Sequence, residues 1–240
     1  MREVVFDTET TGRDPATGDR IVEIGCVEIF NLTPTGNTFH CYLNPGRDVP
    51  DEVVRVHGLT THFLRDKPIF SAMADALIDF FADSPIIAHN AEFDRAFLNA
   101  ELRMIGRDPF PTERFIDTLA IARQKFRGAA NSLDALSKRF MLDRDGFDLA
   151  ARKGPGGHGA LVDSKILARV YLELRGGREQ ALSFGDEPVA DESGAAIVVF
   201  TPRLQRPSPL PARITDDEAA AHAAFVETLG PDSLWAKRSA

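Results

Sequence analysis

The sequence of 240 residues has only two cysteines, Cys26 and Cys41. Both lie in apolar, strand-like segments, and their spacing matches no zinc-binding motif. Disulfide frameworks and thiolate metal sites need more cysteines than this. We therefore expect both residues to be reduced and buried in a hydrophobic core.

A run of 18 or more apolar residues, the length that a membrane-spanning helix needs, is also missing. An apolar strand pattern begins almost at the first residue, where a secretory signal would have a basic and then an apolar region. We therefore expect a cytoplasmic protein with no membrane partner.

Basic residues are outnumbered, because 28 Lys and Arg stand against 36 Asp and Glu and the formal net charge is −8. This balance argues against a general basic coat for nucleic acid, but it says little about local fields. Between Arg123 and Lys153, eight bases accompany four acids. Such an excess is typical of a solvated helical surface, and the alternative is a surface that faces phosphates.

The order of the hydrophobic patterns predicts a mixed α/β fold. The segments "EVVFDTE", "RIVEIGCVEIF" and "NTFHCYLNP" alternate as strands and predict an antiparallel meander. Helical patterns follow, interrupted by short strands in "PIIAHN" and "FID". We interpret Asp117, at the end of the last strand, as a helix N-cap rather than a metal ligand.

The composition changes after Gly177, so we predict one domain over residues 1–177. Residues 178–214 mix acids, glycines and prolines, which predicts a flexible linker. Residues 215–240 contain a capping box, Thr215 with Glu218, and the only tryptophan, Trp235. An isolated helix of this length is marginal in water, so we expect it to dock on a partner. The alternative is a tail that packs on its own domain.

Two acids, Asp7 and Glu9, interrupt the apolar strand "VVFDTETTG". Residues two apart in a strand face the same side, and paired like charges are costly unless a cation balances them. Asp94 in "HNAEFD" and Asp163 in "HGALVD" lie in the first turns of two predicted helices. If those helices pack over the end of the first strand, four carboxylates share one pocket. Carboxylate ligands favour the hard cations Mg²⁺ and Mn²⁺. A pair of such cations can stabilise both the attacking and the leaving oxygen of a phosphodiester.

His158 follows the glycine-rich run "KGPGG", five residues before Asp163. At about 100° per residue the two would not share a helix face, so we place His158 on the loop that enters the helix. An imidazole pKa of roughly 6.5 suits proton transfer near neutral pH. His158 is therefore a candidate general base, and the alternative is an ordinary surface histidine.

In this order, "DTETTG", "HNAEFD" and "HGALVD" resemble the three motifs of the DEDD-type 3′→5′ exonucleases in their histidine variant. The resemblance covers residues 3–175 and implies a ribonuclease H-like fold, a mixed sheet flanked by helices. It also implies that His158 is the general base and that two divalent metal ions bind to Asp7, Glu9, Asp94 and Asp163.

The segment "VHGLT" resembles the part of these enzymes that contributes to the pocket for the terminal nucleotide. For His57 the alternative is a helix-cap or core histidine. The full set of residues that we predict to bind the 3′ end of DNA is Thr8, Thr10, Gly12, Val56, His57, Asn90 and Phe93.

Beyond the nuclease motifs, the tail resembles those of the proofreading subunits of bacterial replicative DNA polymerases. In such subunits a short Gln-containing motif binds the sliding clamp, and the C-terminal segment binds the polymerase subunit. The resemblance implies polymerase binding through 215–240 and clamp binding through Leu182 and Phe184. The clamp motif is imperfect here, because Glu179 stands where Gln is expected.

The resulting hypothesis is a proofreading 3′→5′ DNA exonuclease that hydrolyses the 3′-terminal phosphodiester and releases nucleoside 5′-monophosphates. Two alternatives stay open. An RNA-trimming relative would use the same core, but it needs no polymerase-binding tail, so residues 178–240 count against it. The second alternative is a subunit whose main role in the polymerase is structural. The four acids and His158 indicate that such a subunit would also be catalytic.

Overall fold

The computed structural model describes residues 1–146, 158–176, 189–190, 196–197 and 214–230. The chain divides into two units, Met1–Ala181 and Leu182–Ala240. In the described residues, no helix combines the length and the apolar character that crossing a membrane requires.

A five-stranded sheet forms the centre of the first unit. It consists of β1 (Arg2–Thr10), β2 (Ile21–Phe30), β3 (Thr33–Tyr42), β4 (Ile86–Ala88) and β5 (Phe115–Asp117), in the spatial order β3-β2-β1-β4-β5. The first three strands form an antiparallel meander, whereas β4 and β5 run parallel to β1. The predicted meander and the predicted mixed sheet are therefore confirmed.

Helices cover this sheet on both faces. In the described part of the unit they are α1 (Asp51–His57), α2 (Thr61–Leu64), α3 (Phe70–Phe81), α4 (Ala91–Met104), α5 (Thr118–Lys125), α6 (Leu133–Arg139) and α7 (Ala160–Leu174). Asp117 begins α5 as predicted, because its carboxylate accepts a hydrogen bond from the Leu119 amide at 2.9 Å.

One face of the sheet packs against α3 and α4. Val4 and Phe6 of β1 belong to this core, and the Phe6 ring meets the edge of Phe81 at 5.4 Å. Cys26 and Cys41 are buried in the same cluster as free thiols, as expected. These contacts explain the amphipathic patterns of α3 and α4, whose apolar residues bury against the sheet.

The opposite face packs against α7. Val5 of β1 lies in a cluster with Leu167 and Tyr171, and the Tyr171 hydroxyl donates a hydrogen bond to Glu3 at 2.8 Å. Alternate residues of a strand share a face. Asp7 and Glu9 therefore lie on the side of the sheet that α7 covers.

The first turn of α7 touches the sheet at Gly25 of β2, which is the partner of Asp7 in the β1–β2 ladder. A Cβ atom on Gly25 would lie 2.2 Å from the carbonyl carbon of Ala160. Ser164 Oγ donates to the Gly25 carbonyl oxygen at 2.8 Å. The missing side chain therefore lets α7 lie directly on β2 and brings Asp163 to the acidic strand.

The second unit is described as a hairpin, β6 (Val189–Ala190) with β7 (Ala196–Ile197), and a helix, α8 (Asp216–Thr228). The predicted capping box is present, because Thr215 and Glu218 each accept the other's backbone amide. The clamp-binding prediction for Leu182 and Phe184 lies outside the described residues, as do most of the predicted linker and residues 231–240.

Replacing Gly25 with alanine should separate α7 from β2. Because the added methyl group would collide with backbone rather than with a movable side chain, we expect G25A to lower the free energy of unfolding by about 2 kcal/mol or more. Urea denaturation followed by circular dichroism measures this loss. G159A is the control, since its Cβ would meet its nearest neighbour at an ordinary 3.8 Å. Equal stability of G25A and the unmodified protein would contradict the assignment.

Candidate active site

Three of the predicted residues meet at the carboxyl end of β1. Glu9 comes from β1, Asp163 from the first turn of α7, and His158 from the residues just before that helix. One ligand atom from each lies within 4.8 Å of the others. His158 Nδ1 is 3.1 Å from Asp163 Oδ2, so the His158 side chain contacts the first turn of α7 although His158 lies outside that helix. Two carboxylates and an imidazole this close form a favourable site for a divalent cation.

Asp7 shares the face of Glu9 and lies opposite Gly25, under the first turn of α7. It is half-buried, and its strand neighbour Glu9 belongs to the three-residue cluster described above. The geometry therefore places Asp7 on the same side of β1 as Glu9 and α7, as the alternation of the strand predicts.

Asp94 reaches β1 from the opposite face of the sheet, where α4 packs. Its carboxylate accepts a hydrogen bond from Thr8 Oγ1 at 2.7 Å, and the side chain is only 3% exposed. Burial raises the pKa of Asp94 to about 7, although hydrogen bonds from Thr8 oppose the shift. A cation nearby would favour the ionised carboxylate, which fits the predicted role of Asp94 as a metal ligand.

The described contact of the Thr8 side chain is with Asp94. The Thr8 side chain is buried and its hydroxyl donates to Asp94, and its predicted contact with substrate stays a prediction. The alternation of β1 explains this placement, since Thr8 faces away from Asp7 and Glu9. The observed contact is that of a residue that positions a carboxylate.

A cavity of about 710 Å³ opens beside Glu9. Four of the residues predicted to bind the 3′ end line its wall, namely Thr10, Gly12, Val56 and His57. The His158 amide lies 3.5 Å from the Val56 carbonyl oxygen. His158 therefore contacts both an acid of the cluster and the wall of this cavity, which we call the terminal cavity.

His57 is at the end of α1 and is buried. Its Nδ1 accepts a hydrogen bond from the Leu59 amide at 3.0 Å, so the proton of the neutral ring resides on Nε2. Burial lowers the pKa of His57, which favours the neutral ring. His57 is therefore both a buried residue at the end of a helix and part of the wall of the terminal cavity.

Asn90 and Phe93 do not line the terminal cavity. Asn90 has a left-handed backbone at the start of α4, where its amide donates to Asp117 Oδ1 at 3.0 Å. The Phe93 ring packs on Phe97 at 4.9 Å and contributes to the core. Their predicted contacts with substrate remain predictions.

Asp19 shapes the terminal cavity and was missed by the sequence analysis. Its carboxylate accepts a hydrogen bond from Thr11 Oγ1 at 3.2 Å and forms an ion pair with Arg47 at 3.2 Å. A Cβ atom on Gly12 would lie 2.1 Å from Asp19 Oδ2. The signal in the sequence was Gly12 itself, because only glycine leaves room for the carboxylate that closes this loop.

Glu23 is a second residue that the sequence analysis missed. It lies opposite Glu9 in the β1–β2 ladder, is 3% exposed, and has His40 Nε2 2.8 Å from its carboxylate. A buried acid directly across from Glu9 adds negative charge to the site. Only the register between the two strands reveals this proximity, and the register was not part of the sequence pattern.

A family model described as "Exonuclease" matches residues 4–171. This match covers more than half of the chain and includes all four acids and His158. The chain therefore belongs to the exonuclease family.

Two relatives that match nearly the whole chain identify a group within the exonuclease family. The chain is 41% identical to the DNA polymerase III subunit epsilon of Rickettsia typhi over 95% of its own length and 97% of that protein. It is 38% identical to the same subunit of Escherichia coli strain K12, over 98% and 97% of the two chains. Within the exonuclease family, the chain thus belongs to the DNA polymerase III epsilon subunits.

Solved structures agree on the fold. Exonuclease X in complex with 5′ overhanging duplex DNA superposes with a TM-score of 0.52 and 26% identity, over 71% of this chain and 89% of that one. The nuclease domain of 3′hExo, a DEDDh family member bound to rAMP, gives a TM-score of 0.59 over 72% and 91%, at 18% identity. The ribonuclease H-like fold and the activity of a metal-dependent 3′→5′ exonuclease, both implied by the motifs, are confirmed.

Removing the Thr8 hydroxyl should weaken metal binding without unfolding the protein. Because that hydroxyl holds Asp94, we expect T8V to lower the affinity for Mg²⁺ or Mn²⁺ about 10-fold to 100-fold, as loss of a ligand-orienting hydrogen bond does elsewhere. Isothermal titration with Mn²⁺ measures the change. T8S retains the hydroxyl and is expected to bind like the unmodified protein. Similar affinities of T8V and T8S would refute the positioning role.

Proposed function

We propose that the chain is the proofreading 3′→5′ DNA exonuclease of a bacterial replicative DNA polymerase, acting in the cytoplasm. The observation that supports this most directly is the meeting of Glu9, His158 and Asp163 beside the terminal cavity. The relatives named DNA polymerase III subunit epsilon cover nearly the whole chain and support the replicative setting.

Four carboxylates would hold two divalent cations, Mg²⁺ or Mn²⁺. They are Asp7 and Glu9 of β1, Asp94 of α4 and Asp163 of α7. The bound cations would supply Lewis-acid stabilisation of the negative charge that develops on the phosphodiester. All four ligands are hard oxygen donors, which match these cations better than Zn²⁺.

His158 would act as the general base. Its Nδ1 faces Asp163 Oδ2 at 3.1 Å, which leaves Nε2 to take the proton of the attacking water. The contact between the His158 amide and Val56 keeps this ring beside the terminal cavity. Attack on the 3′-terminal phosphodiester releases a nucleoside 5′-monophosphate and a shortened strand.

The terminal cavity would select mispaired ends. A nucleotide must leave its base pair and stack to enter a cavity between Gly12, Val56 and His57. Breaking a pair costs a few kcal/mol, and this cost is smallest for a mispaired terminus. Preference for mispaired ends therefore needs no contact that reads the base itself.

The second unit would provide the partner contacts. We propose a nuclease domain over 1–177, a linker over 178–214 and a polymerase-binding tail over 215–240, with clamp contacts at Leu182 and Phe184. In the tail, α8 exposes Phe225 (61%) and is followed by Leu229 (44% exposed). Exposed apolar side chains on a well-capped helix suit a protein partner.

A primer-shortening assay tests the catalytic proposal. With Mg²⁺, the protein should shorten a 3′-mispaired DNA primer stepwise and faster than a paired primer or a short RNA, and a chelator should abolish shortening. D7N should lower the rate at least about 100-fold, since it removes a charged metal ligand and not merely a supporting group.

The matched control is D83N, which removes one exposed carboxylate elsewhere on the surface. It should shorten the primer at the rate of the unmodified protein. Full activity of D7N would refute the site assignment. A preference for RNA would favour the RNA-trimming alternative, and no shortening of any substrate would favour a structural role.

Deleting residues 215–240 tests the tail. The truncated protein should lose retention by the immobilised polymerase subunit, while its shortening of a free mispaired primer should stay within about twofold, because the metal ligands all lie before residue 177. Pull-down and primer assays on the same preparation measure both properties. Unchanged retention would refute the tail assignment, whatever the activity.

A further inference from the structure

A second cavity, of about 700 Å³, begins at Asn90, the residue that precedes α4. Its floor is His89 and Asn90 at the carboxyl end of β4, and its wall contains Arg123, Arg127 and Asn131. Because β1 and β4 are parallel neighbours, their carboxyl ends lie at the same edge of the sheet. This basic cavity therefore lies toward the same edge of the sheet as Glu9, and Asn90 in its floor precedes Asp94 by four residues at the start of α4.

The two cavities differ in charge. Of the residues that the structure describes, Glu9, Asp19 and Glu52 line the terminal cavity together with one arginine, Arg13. Among the described residues, the lining of the basic cavity includes two arginines and no acid, while Asp117 Oδ1 accepts hydrogen bonds from the amides of the lining residues Asn90 and Leu119 at 3.0 and 2.9 Å. On a chain with a net charge of −8, such a cavity concentrates positive potential where an anionic ligand can approach the acids.

The wall of the basic cavity is fixed by its own hydrogen bonds. Asn131 Nδ2 donates to the carbonyl oxygens of Phe126 and Ala129, at 3.3 and 2.9 Å. The Arg139 guanidinium covers the Phe126 ring at 4.4 Å. The segment 126–131, which carries Arg127, is therefore an ordered wall rather than a loose loop.

The floor is fixed as well. Thr118 Oγ1 donates to the Ala88 carbonyl oxygen at 3.1 Å, so it accepts from His89 Nδ1 at 2.9 Å. Burial lowers the pKa of His89 and favours the neutral ring. The positive charge of this cavity therefore comes from the two arginines.

Both arginines can bind an anion. Arg123 and Arg127 are exposed, and no ion pair joins either to an acid within the described ranges. A guanidinium can bind a phosphate through two parallel hydrogen bonds. A phosphate at this position would be held close to α4, whose first turn carries Asp94.

We propose that the basic cavity binds the phosphates of the single-stranded segment immediately 5′ of the nucleotide that is removed. The inference rests on the proposed nuclease function and extends it, because it assigns the path of the substrate strand. The terminal nucleotide occupies the terminal cavity, the scissile phosphate lies at the acids, and the preceding phosphates contact Arg123 and Arg127.

The length of the substrate gives the test. A thymidine dinucleotide has only the scissile phosphate, whereas a hexanucleotide also has the phosphates that would occupy the basic cavity. We expect R123Q/R127Q to lower kcat/KM for the hexanucleotide about tenfold and to leave the dinucleotide within about twofold. The slope of log(kcat/KM) against log[salt] for the hexanucleotide should fall by about 1.4, since each single-strand phosphate contact contributes about 0.7.

R103Q/R107Q is the matched control, because it removes two exposed arginines at and beyond the far end of α4. It should cleave both substrates like the unmodified protein. An unchanged hexanucleotide value in R123Q/R127Q, an equal loss on both substrates, or an equal loss in the control would overturn the inference. Each of these results is compatible with the nuclease function, whereas failure of the unmodified protein to cleave either substrate would refute that function itself.

Discussion

The direct contact between α7 and β2 is the constraint on which the site depends. A helix packed on a sheet normally stands off by the length of the side chains between them, but at Gly25 the first turn of α7 meets the strand backbone itself. The Ser164 hydroxyl secures this contact through the Gly25 carbonyl oxygen. Asp163, which precedes Ser164 directly, is brought to Glu9 in this way, and His158 follows because it contacts both Asp163 and Val56. The geometry of the candidate site therefore depends on the absence of a side chain at Gly25.

The candidate metal ligands approach β1 from both faces of the sheet. Glu9 and Asp163 meet on the face covered by α7, whereas Asp94 comes from α4 and is held through Thr8 on the opposite face. A site of this kind can form only where a strand ends, because within the sheet the two faces are separated by the hydrogen-bonded backbone. The end of β4 offers this position, because β4 stops at Ala88, one residue past the level of Val5, whereas β1 continues to Thr10 and carries Asp7 and Glu9 beyond that end.

Local sequence patterns predicted the parts of this structure that depend on neighbouring residues. The meander, the Asp117 cap and the capping box at Thr215 all follow from periodicity or from spacings of a few residues. Asp19 and Glu23 escaped prediction because their roles arise from contacts across strands and loops. The contact of the Thr8 hydroxyl with Asp94 was not predictable for the same reason, since it depends on how α4 packs against β1.

The acids of the site lie close enough together for a bound cation to reduce their mutual repulsion. Glu23 lies opposite Glu9, Asp163 approaches from α7, and burial already shifts the pKa of Asp94 upward. Like charges placed close together repel one another, so acids grouped in this way carry an electrostatic cost that a bound cation would offset. A ligand that binds only the folded state adds stability in proportion to the logarithm of its concentration over its dissociation constant. Replacing one acid with a neutral isostere would relieve repulsion and weaken cation binding together, because the same charges produce both effects. A change that raises the stability of the metal-free fold therefore lowers the affinity of this site for the cation. Functional sites commonly show this relation between stability and activity.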